Sequence, residues 1–348
     1  MLDPRLSTYF ALTTVNVALD LVFEEEKVFL AACLLLRLIV CVVLATTSSE
    51  KSRARMRYPM AFSILLLVGY WFNRIPFTWE SNVWSLQVDL LVSLWLLFGP
   101  SWNDTTQVSQ LANTIIGMYC WYYAASGFFK INSHFLDPDA SCATVFVVMH
   151  TAYYAGPFLS EDTLIDVCRM LKPWGPAFTL LIELSMGGLL MMGKLLNNRW
   201  WLTTGILLIV YFHLAVCATP KPLDISMFAY QCGARLIWGQ HPQSLQSALS
   251  RLYPYTGWLL SFAVIFVAFG VQANFTPLNW AFACFVPVLV LHQLSIAIEA
   301  PTFSIQSSGK KSQRTWWSIL AISFAAFYSF GCLQLGLMEE SKSASQGL

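Results

Sequence analysis

The chain has 348 residues, of which 57% are hydrophobic and only 11% are charged, and its mean hydropathy is +0.58. Soluble domains carry about 25% charged residues, so this composition excludes an ordinary soluble domain and predicts an integral membrane protein. The formal net charge of +1 argues against a basic surface for nucleic acid. The first residues lack the basic region and cleavage site of a signal peptide, and we expect none.

The apolar segments predict an all-α, polytopic bundle of roughly nine membrane-spanning helices, each near the ~20 residues that cross a bilayer. Clear segments occupy residues 28–46, 58–73, 84–100, 107–127, 173–193 and 200–217, and further ones lie between residues 223 and 335. Residues 6–23 are weakly amphipathic, and either lie on the surface or form a poor span. We expect one membrane domain over residues 1–348, ending in a short polar tail at 336–348.

The distribution of charge predicts the orientation. Residues 51–57 contain four basic side chains, which places this loop in the cytoplasm by the positive-inside rule. Following the chain from there puts Lys130 on the lumenal side. Residues 141–158 are short and are expected to dip into the lumenal interface, because a full span would invert the later basic loops. Asn274 then lies in a lumenal sequon that predicts glycosylation, whereas Asn103 is cytoplasmic. The endoplasmic reticulum or another endomembrane is the expected location.

Ionisable side chains inside apolar segments are costly and face a partner or a cavity. The candidates are Arg37, Asp89, Glu183, His213, Arg235, His292 and Glu299. For each one alone, a structural ion pair is the preferred interpretation; Arg37 with Glu183, or Asp89 with Arg235, would join helices. No Ser-His-Asp order, P-loop, HExxH motif or metal-ligand spacing is present. The sequence therefore excludes the commonest hydrolase signatures and predicts no metal.

The most informative segment runs from Trp121 to Asp139. An aromatic helix ends near Lys130 and is followed by a polar loop that contains Asn132 and Pro138. A lysine at the end of a membrane helix ordinarily extends its ammonium to the headgroups. The alternative is that its apolar surroundings favour the neutral amine, which is a base or a nucleophile. The position of the residue alone leaves both interpretations open.

Two groups of motifs occur in a fixed order. The first is the segment Tyr122–Asn132, with aromatic residues, Ser-Gly and then Lys130; the second begins at Glu183 and ends at Tyr230. Within it lie Glu-Leu-Ser-Met-Gly, a Tyr-Phe-His ending at His213, and Ile-Ser-Met-Phe-Ala-Tyr. Together they resemble the HTTM domain, the membrane part shared by vitamin K-dependent gamma-carboxylases and their bacterial relatives. The resemblance covers about residues 85–240.

The resemblance implies an enzyme that acts on a quinone-like or lipid-like substrate, with a vitamin K hydroquinone-like quinone as its cofactor. It implies catalytic roles for Lys130, the base, and His213. It also implies substrate contacts by Glu183, Asn132, Tyr211, Phe228 and Tyr230. The implied partners are the lipid bilayer and a small apolar substrate. A small-molecule transporter and a non-catalytic membrane scaffold are the rival classes.

The chain also departs from the carboxylase pattern. Phe129 stands before Lys130 where the carboxylase has a second lysine, and Phe135-Leu-Asp-Pro replaces a tryptophan after it. The large lumenal C-terminal region of the carboxylase is absent, so we expect no carboxylation of a propeptide-bearing protein.

Overall fold

The computed structural model describes residues 4–23, 27–46, 49–73, 80–99, 105–217, 234–236 and 238. Regular structure within these residues is entirely helical, with no strand among them, which confirms the predicted all-α class. The segments predicted after residue 238, the end of the HTTM-like region and the polar tail lie outside the described residues. So do the predicted site residues Phe228, Tyr230 and Asn274, and the ionisable candidates His292 and Glu299.

Eleven α-helices and one 3₁₀ turn are described. Their bounds are α1 Pro4–Phe23, α2 Lys27–Thr46, α3 Glu50–Arg55, α4 Arg57–Phe72, α5 Glu80–Phe98, α6 Thr105–Phe129, α7 Ser133–Leu136, α8 Cys142–Ala155, the 3₁₀ turn Gly156–Phe158, α9 Glu161–Leu171, α10 Trp174–Leu195 and α11 Arg199–Cys217. The predicted apolar segments in this part of the chain coincide with α2, α4, α5, α6, α10 and α11. The amphipathic helix α9 was not predicted, because its charged side chains interrupt the apolar run.

The helices form two packed groups that share a core. In one group α10 packs against both α6 and α11, and in the other α4 packs against α5 and α2. Aromatic side chains fill much of the common core, including Tyr9, Trp95, Tyr119 and Tyr122, each of which is almost fully buried. The helix α1 belongs to this core rather than lying apart from it, because its Leu6, Tyr9 and Phe10 are buried there.

Glycine allows α6 and α10 to approach closely. A Cβ atom added at Gly187 would lie 3.1 Å from the amide nitrogen of Ala124 and 3.2 Å from the carbonyl oxygen of Cys120. One added at Gly188, on the other side of α10, would meet nothing within 4 Å. Small residues at such crossings let membrane helices pack backbone against backbone. The approach at Gly187 brings the polar side chains of α6 and α10 within reach of each other.

Two of the described helices are long and apolar enough to cross a membrane, namely α2 over Lys27–Leu44 and α10 over Trp174–Leu195. Only 22% of the α2 segment is buried, and its Leu35 and Val42 are about 60% exposed. A core helix of a soluble protein would bury these side chains, since exposing them to water is unfavourable. The outward apolar face of α2 is therefore suited to lipid.

The segment predicted to dip is short in the structure. Helix α8 has 14 residues, and the 3₁₀ turn at Gly156–Phe158 follows it directly. At 1.5 Å per residue α8 is about 21 Å long, well below the ~30 Å of a bilayer core. Its length is therefore compatible with the predicted dip.

Candidate functional site

The end of α6 is built so that Lys130 leaves the helix next to a capped turn. The amide of Lys130 donates to the carbonyl of Gly127, an i→i−3 bond that tightens the last turn. The side chain of Asn132 accepts from the amide of Phe135 at 2.8 Å and donates to the carbonyl of Phe129 at 2.8 Å. Asn132 is thus the N-cap of α7, which fixes the chain immediately after the lysine.

Lys130 belongs to a closed triangle of polar groups. Its Nζ atom lies 2.8 Å from Oγ of Ser126 and 2.9 Å from Oε2 of Glu183. The Ser126 hydroxyl donates to the same Oε2 atom at 2.9 Å. Ser126 precedes Lys130 by four residues, one turn of α6, so the two side chains share a face of that helix. The carboxylate from α10 completes the group, and the triangle joins α6 to α10.

The two charged side chains of the triangle differ in their exposure to solvent. The Lys130 side chain is 26% exposed, whereas that of Glu183 is 9% exposed. Glu183 lies on the buried face of α10, together with Met186, Gly187 and Leu190. The triangle thus joins a partly exposed lysine to a carboxylate that lies among apolar side chains.

His213 lies beside this triangle through a tyrosine of α6. Nε2 of His213 is 2.8 Å from the hydroxyl of Tyr123, and both side chains are buried. Tyr123 precedes Ser126 by three residues and so lies on the face of α6 that carries Ser126 and Lys130. The structure thus places Lys130 and Glu183 in direct contact, and it places His213 in contact with a tyrosine on the same face of α6.

The polar contacts of Ser126 and Tyr123 were not predicted from the sequence. Ser126 carries a weak signal, since a hydroxyl one turn before a lysine is a local partner for it. Tyr123 carries none, because it is one of several aromatic residues in the same run. Only the position of α11 relative to α6 shows that Tyr123, rather than Tyr122, meets His213.

A second polar network lies between α1, α2 and α5. Arg235 donates from Nε to Oδ1 of Asp89 at 2.8 Å and from Nη2 to Oδ2 at 2.5 Å, and the Tyr9 hydroxyl donates to Oδ1 at 2.5 Å. The predicted pairing of Asp89 with Arg235 is confirmed. The alternative pairing of Arg37 with Glu183 is wrong: Arg37 donates to the Thr13 hydroxyl at 2.9 Å, and Glu183 contacts Lys130.

A layer of buried side chains lies between the two networks. The Tyr122 hydroxyl donates to Oε1 of Gln87 at 2.5 Å, and the Trp84 ring stacks on Tyr122 with 4.9 Å between centroids. Trp84 also meets the edge of Tyr123, whose hydroxyl contacts His213. These contacts join α5 to α6 beside the Tyr123–His213 contact.

The structure brings together only some of the predicted site residues. Asn132 is exposed, and its amide is engaged in capping α7, so its predicted contact with a substrate stays a prediction. Tyr211 lies within α11, where the structure describes only its backbone. Over the described residues, no cluster of three or more His, Cys, Asp or Glu side chains is placed to hold a metal ion.

Comparison of the chain with protein-family models, with curated proteins and with solved structures found no match. The geometry of this site and the sequence motifs quoted above are therefore the grounds for proposing a function.

Proposed function

We propose that this protein is a multi-pass membrane enzyme that acts on a quinone-like or lipid-like molecule, with Lys130 as the group that exchanges a proton with it. The number of spans follows the sequence prediction of roughly nine. The apolar, lipid-suited surfaces of α2 and α10 support the placement in a membrane. The endoplasmic reticulum or another endomembrane remains the proposed compartment.

The observation that carries this proposal is the asymmetric triangle of Lys130, Ser126 and Glu183. The amine is within 3 Å of both a hydroxyl and a carboxylate, yet about a quarter of its side chain is exposed. A lysine that only reached for the headgroups would have no reason to contact a buried acid on another helix. An amine in contact with a hydroxyl and a carboxylate has partners within hydrogen-bond reach, which is the geometry that proton transfer requires.

The surroundings of Lys130 fit an apolar ring that carries oxygen atoms. Phe128, Phe129 and Ile131 flank the lysine in sequence and are about half to two-thirds exposed. These side chains offer apolar contact, while the third N–H of the Lys130 ammonium offers a hydrogen bond to oxygen. A reduced quinone, when bound, supplies an ionisable hydroxyl and two reducing equivalents. The donor set and the apolar flank match both parts of such a molecule.

The contacts define a route for one proton. Nζ of Lys130 donates to Oγ of Ser126 and lies 2.9 Å from Oε2 of Glu183. Transfer of one N–H proton to the Glu183 carboxylate leaves a neutral amine and a neutral acid. The amine then takes the proton of a hydroxyl placed at Nζ, and the resulting ammonium faces the negative charge that remains on that oxygen. Glu183 afterwards releases its proton to solvent, so that the starting ammonium and carboxylate are restored as the product leaves.

A non-catalytic scaffold predicts that Lys130 and His213 point separately into lipid or water. His213 instead is buried, with 5% exposure, and contacts Tyr123. Lys130 likewise contacts residues of two helices rather than solvent alone. These contacts favour an enzyme over a scaffold. Nothing among the described contacts favours a transporter.

The test uses purified protein in lipid nanodiscs and a panel of reduced quinones that includes vitamin K hydroquinone. Mass spectrometry identifies quinone that co-purifies with the protein and any oxidised or epoxidised product. Lys130→Met keeps most of the apolar stem and cannot carry a proton. We expect it to retain bound quinone and to lose about 10²–10⁴-fold in rate, as for loss of a general acid–base group.

Lys172→Met is the matched control. Lys172 also forms an ion pair, with Asp139, but it is exposed and lies outside the triangle. We expect unchanged turnover in this variant. Unchanged turnover in Lys130→Met would reject Lys130 as the base. Absence of binding and of turnover for every quinone in native protein would reject the proposed substrate class.

A further inference from the structure

A narrow cleft lies beside the Asp89–Arg235 pair, and none of the residues that line it belongs to the Lys130 triangle. It is lined by polar side chains from α1 and α5, namely Asn16, Asp20, Ser85 and Asp89, and by Arg235. Asp20 is near the end of α1, and Ser85 is near the beginning of α5. The cleft therefore lies toward one end of the bundle rather than at its centre.

Two of these side chains are buried without a hydrogen-bond partner among the described residues. Asn16 is 2% exposed, and neither its amide nitrogen nor its carbonyl oxygen has a partner. Ser85 is 5% exposed, and its hydroxyl has none. A buried amide or hydroxyl left unsatisfied destabilises the fold, so native proteins rarely leave such groups together. Three such atoms on two residues that line one cleft point to a ligand that they hold.

The size of the cleft limits the ligand to one small molecule. The space open to the centre of a water-sized sphere is about 10 Å³. One water needs roughly 10–15 Å³ by this measure, together with two to four polar partners. A quinone, a sugar or a lipid headgroup is far too large.

The chemistry of Asn16 discriminates between a water and a cation. A small cation would bind the carbonyl oxygen of Asn16 and leave its N–H donors unsatisfied. A water both accepts and donates, so it can bind the amide nitrogen, the amide oxygen and the Ser85 hydroxyl in turn.

From this geometry we infer that the cleft is a binding site for one ordered water, held by Asn16 and Ser85 next to the Asp89–Arg235 pair. The water joins α1 to α5 by hydrogen bonds that the side chains do not make directly. It is a buried polar site independent of Lys130, and the inference does not depend on the proposed enzymatic function.

The test is X-ray radiolytic labelling in ¹⁸O-water, read residue by residue by mass spectrometry on the full chain in nanodiscs. Bound water generates hydroxyl radicals that oxidise the side chains next to it even when they are buried. Trp71 lines the cleft and is 6% exposed, whereas Trp84 is 5% exposed and stacks on Tyr122 instead. We expect faster oxidation of Trp71 than of Trp84 in the native protein.

Two variants complete the test. Asn16→Leu removes both unpartnered groups and fills the cleft, and we expect Trp71 to fall to the labelling rate of Trp84. Trp95, 2% exposed in the core, reports whether that variant keeps its fold. If Trp95 labelling rises, Ser85→Ala replaces it, because this smaller change removes one partner of the water and is expected to slow Trp71 oxidation.

Equal labelling of Trp71 and Trp84 in the native protein would overturn the inference, since the cleft would then be dry. A cation would be indicated by a second outcome: thermal stability that rises with sodium but not with potassium, together with loss of that dependence in Asn16→Leu. That result would also overturn the assignment of water.

Discussion

Two ion pairs hold charged side chains inside the bundle, and they differ in exposure and in geometry. Arg235 and Asp89 are 4% and 2% exposed, and the guanidinium contacts both carboxylate oxygens. Lys130 and Glu183 are 26% and 9% exposed, and the amine contacts one oxygen of Glu183. The first pair is closed and bidentate, and the second is open and monodentate.

The difference shows what each pair is suited to do. A planar guanidinium that binds both carboxylate oxygens is fixed in one geometry and keeps its charge. A lysine on a flexible stem can turn one of its three N–H groups toward another molecule while the carboxylate stays nearby. The Arg235–Asp89 pair is therefore suited to a structural role, and the Lys130–Glu183 pair is the one on which the proposed function depends.

The largest effect is expected when the closed pair loses one member. Asp89→Leu leaves the Arg235 guanidinium buried without its carboxylate and leaves the Tyr9 hydroxyl without its acceptor. Breaking a buried pair in this way costs about 3–5 kcal/mol. We expect a corresponding fall in the free energy of unfolding, measured by denaturant titration in mixed micelles.

The double variant with Asp89→Leu and Arg235→Leu checks the cause. Removal of both charges leaves apolar groups of similar volume, which are often as stable as the original pair. We expect the double variant to be more stable than Asp89→Leu alone. A double variant less stable than the single one would contradict the structural role assigned to this pair.

A smaller effect is expected at the helix crossing that supports the open pair. Gly187→Val introduces a Cβ atom only 3.1 Å from the backbone of α6, so α6 and α10 must separate. Overpacking of this kind costs about 1–3 kcal/mol. Gly188→Val is the matched control, since its Cβ meets nothing within 4 Å. Equal stability of the two variants in the same titration would contradict close packing of α6 against α10 at Gly187.

The open pair itself is expected to contribute little to stability. We expect Lys130→Met and Glu183→Gln each to lower the free energy of unfolding by less than Asp89→Leu does, because the Lys130 side chain is 26% exposed and Ser126 still donates to residue 183. Their effect is expected on turnover instead. Loss of several kcal/mol of stability in Glu183→Gln would remove the contrast between the two pairs.

The smallest effect on the protein is expected from a test of how the chain is oriented in the membrane, because glycosylation there leaves stability unchanged. We expect glycosylation at Asn274 and none at Asn103, in a eukaryotic membrane, detected as a mobility shift that an endoglycosidase removes. This result would place the end of α6 on the lumenal side by the positive-inside argument. Modification at Asn103 alone would reverse the orientation and place Lys130 on the cytoplasmic side.

The sequence predicted the helices of the described region better than their contacts. Long apolar runs such as residues 28–46 determine a helix locally, so α2 agrees with its prediction within one residue. The partner of Glu183 could not be deduced, because Arg37 and Lys130 were both available and only tertiary packing selects between them. For the same reason Tyr123 and Ser126 were missed, although Lys130 itself was identified by its position at the end of an aromatic helix.

The exposed Phe128, Phe129 and Ile131 around Lys130 have a consequence for kinetics. Under the proposed function these side chains would bring the amine to the lipid boundary, and we expect an apolar substrate to approach it by diffusion within the bilayer. The concentration that matters is then the mole fraction of substrate among the lipids, rather than its amount per volume of water. Addition of inert lipid at constant total substrate should slow the reaction by dilution at the surface, and the apparent KM should increase in proportion to the lipid added.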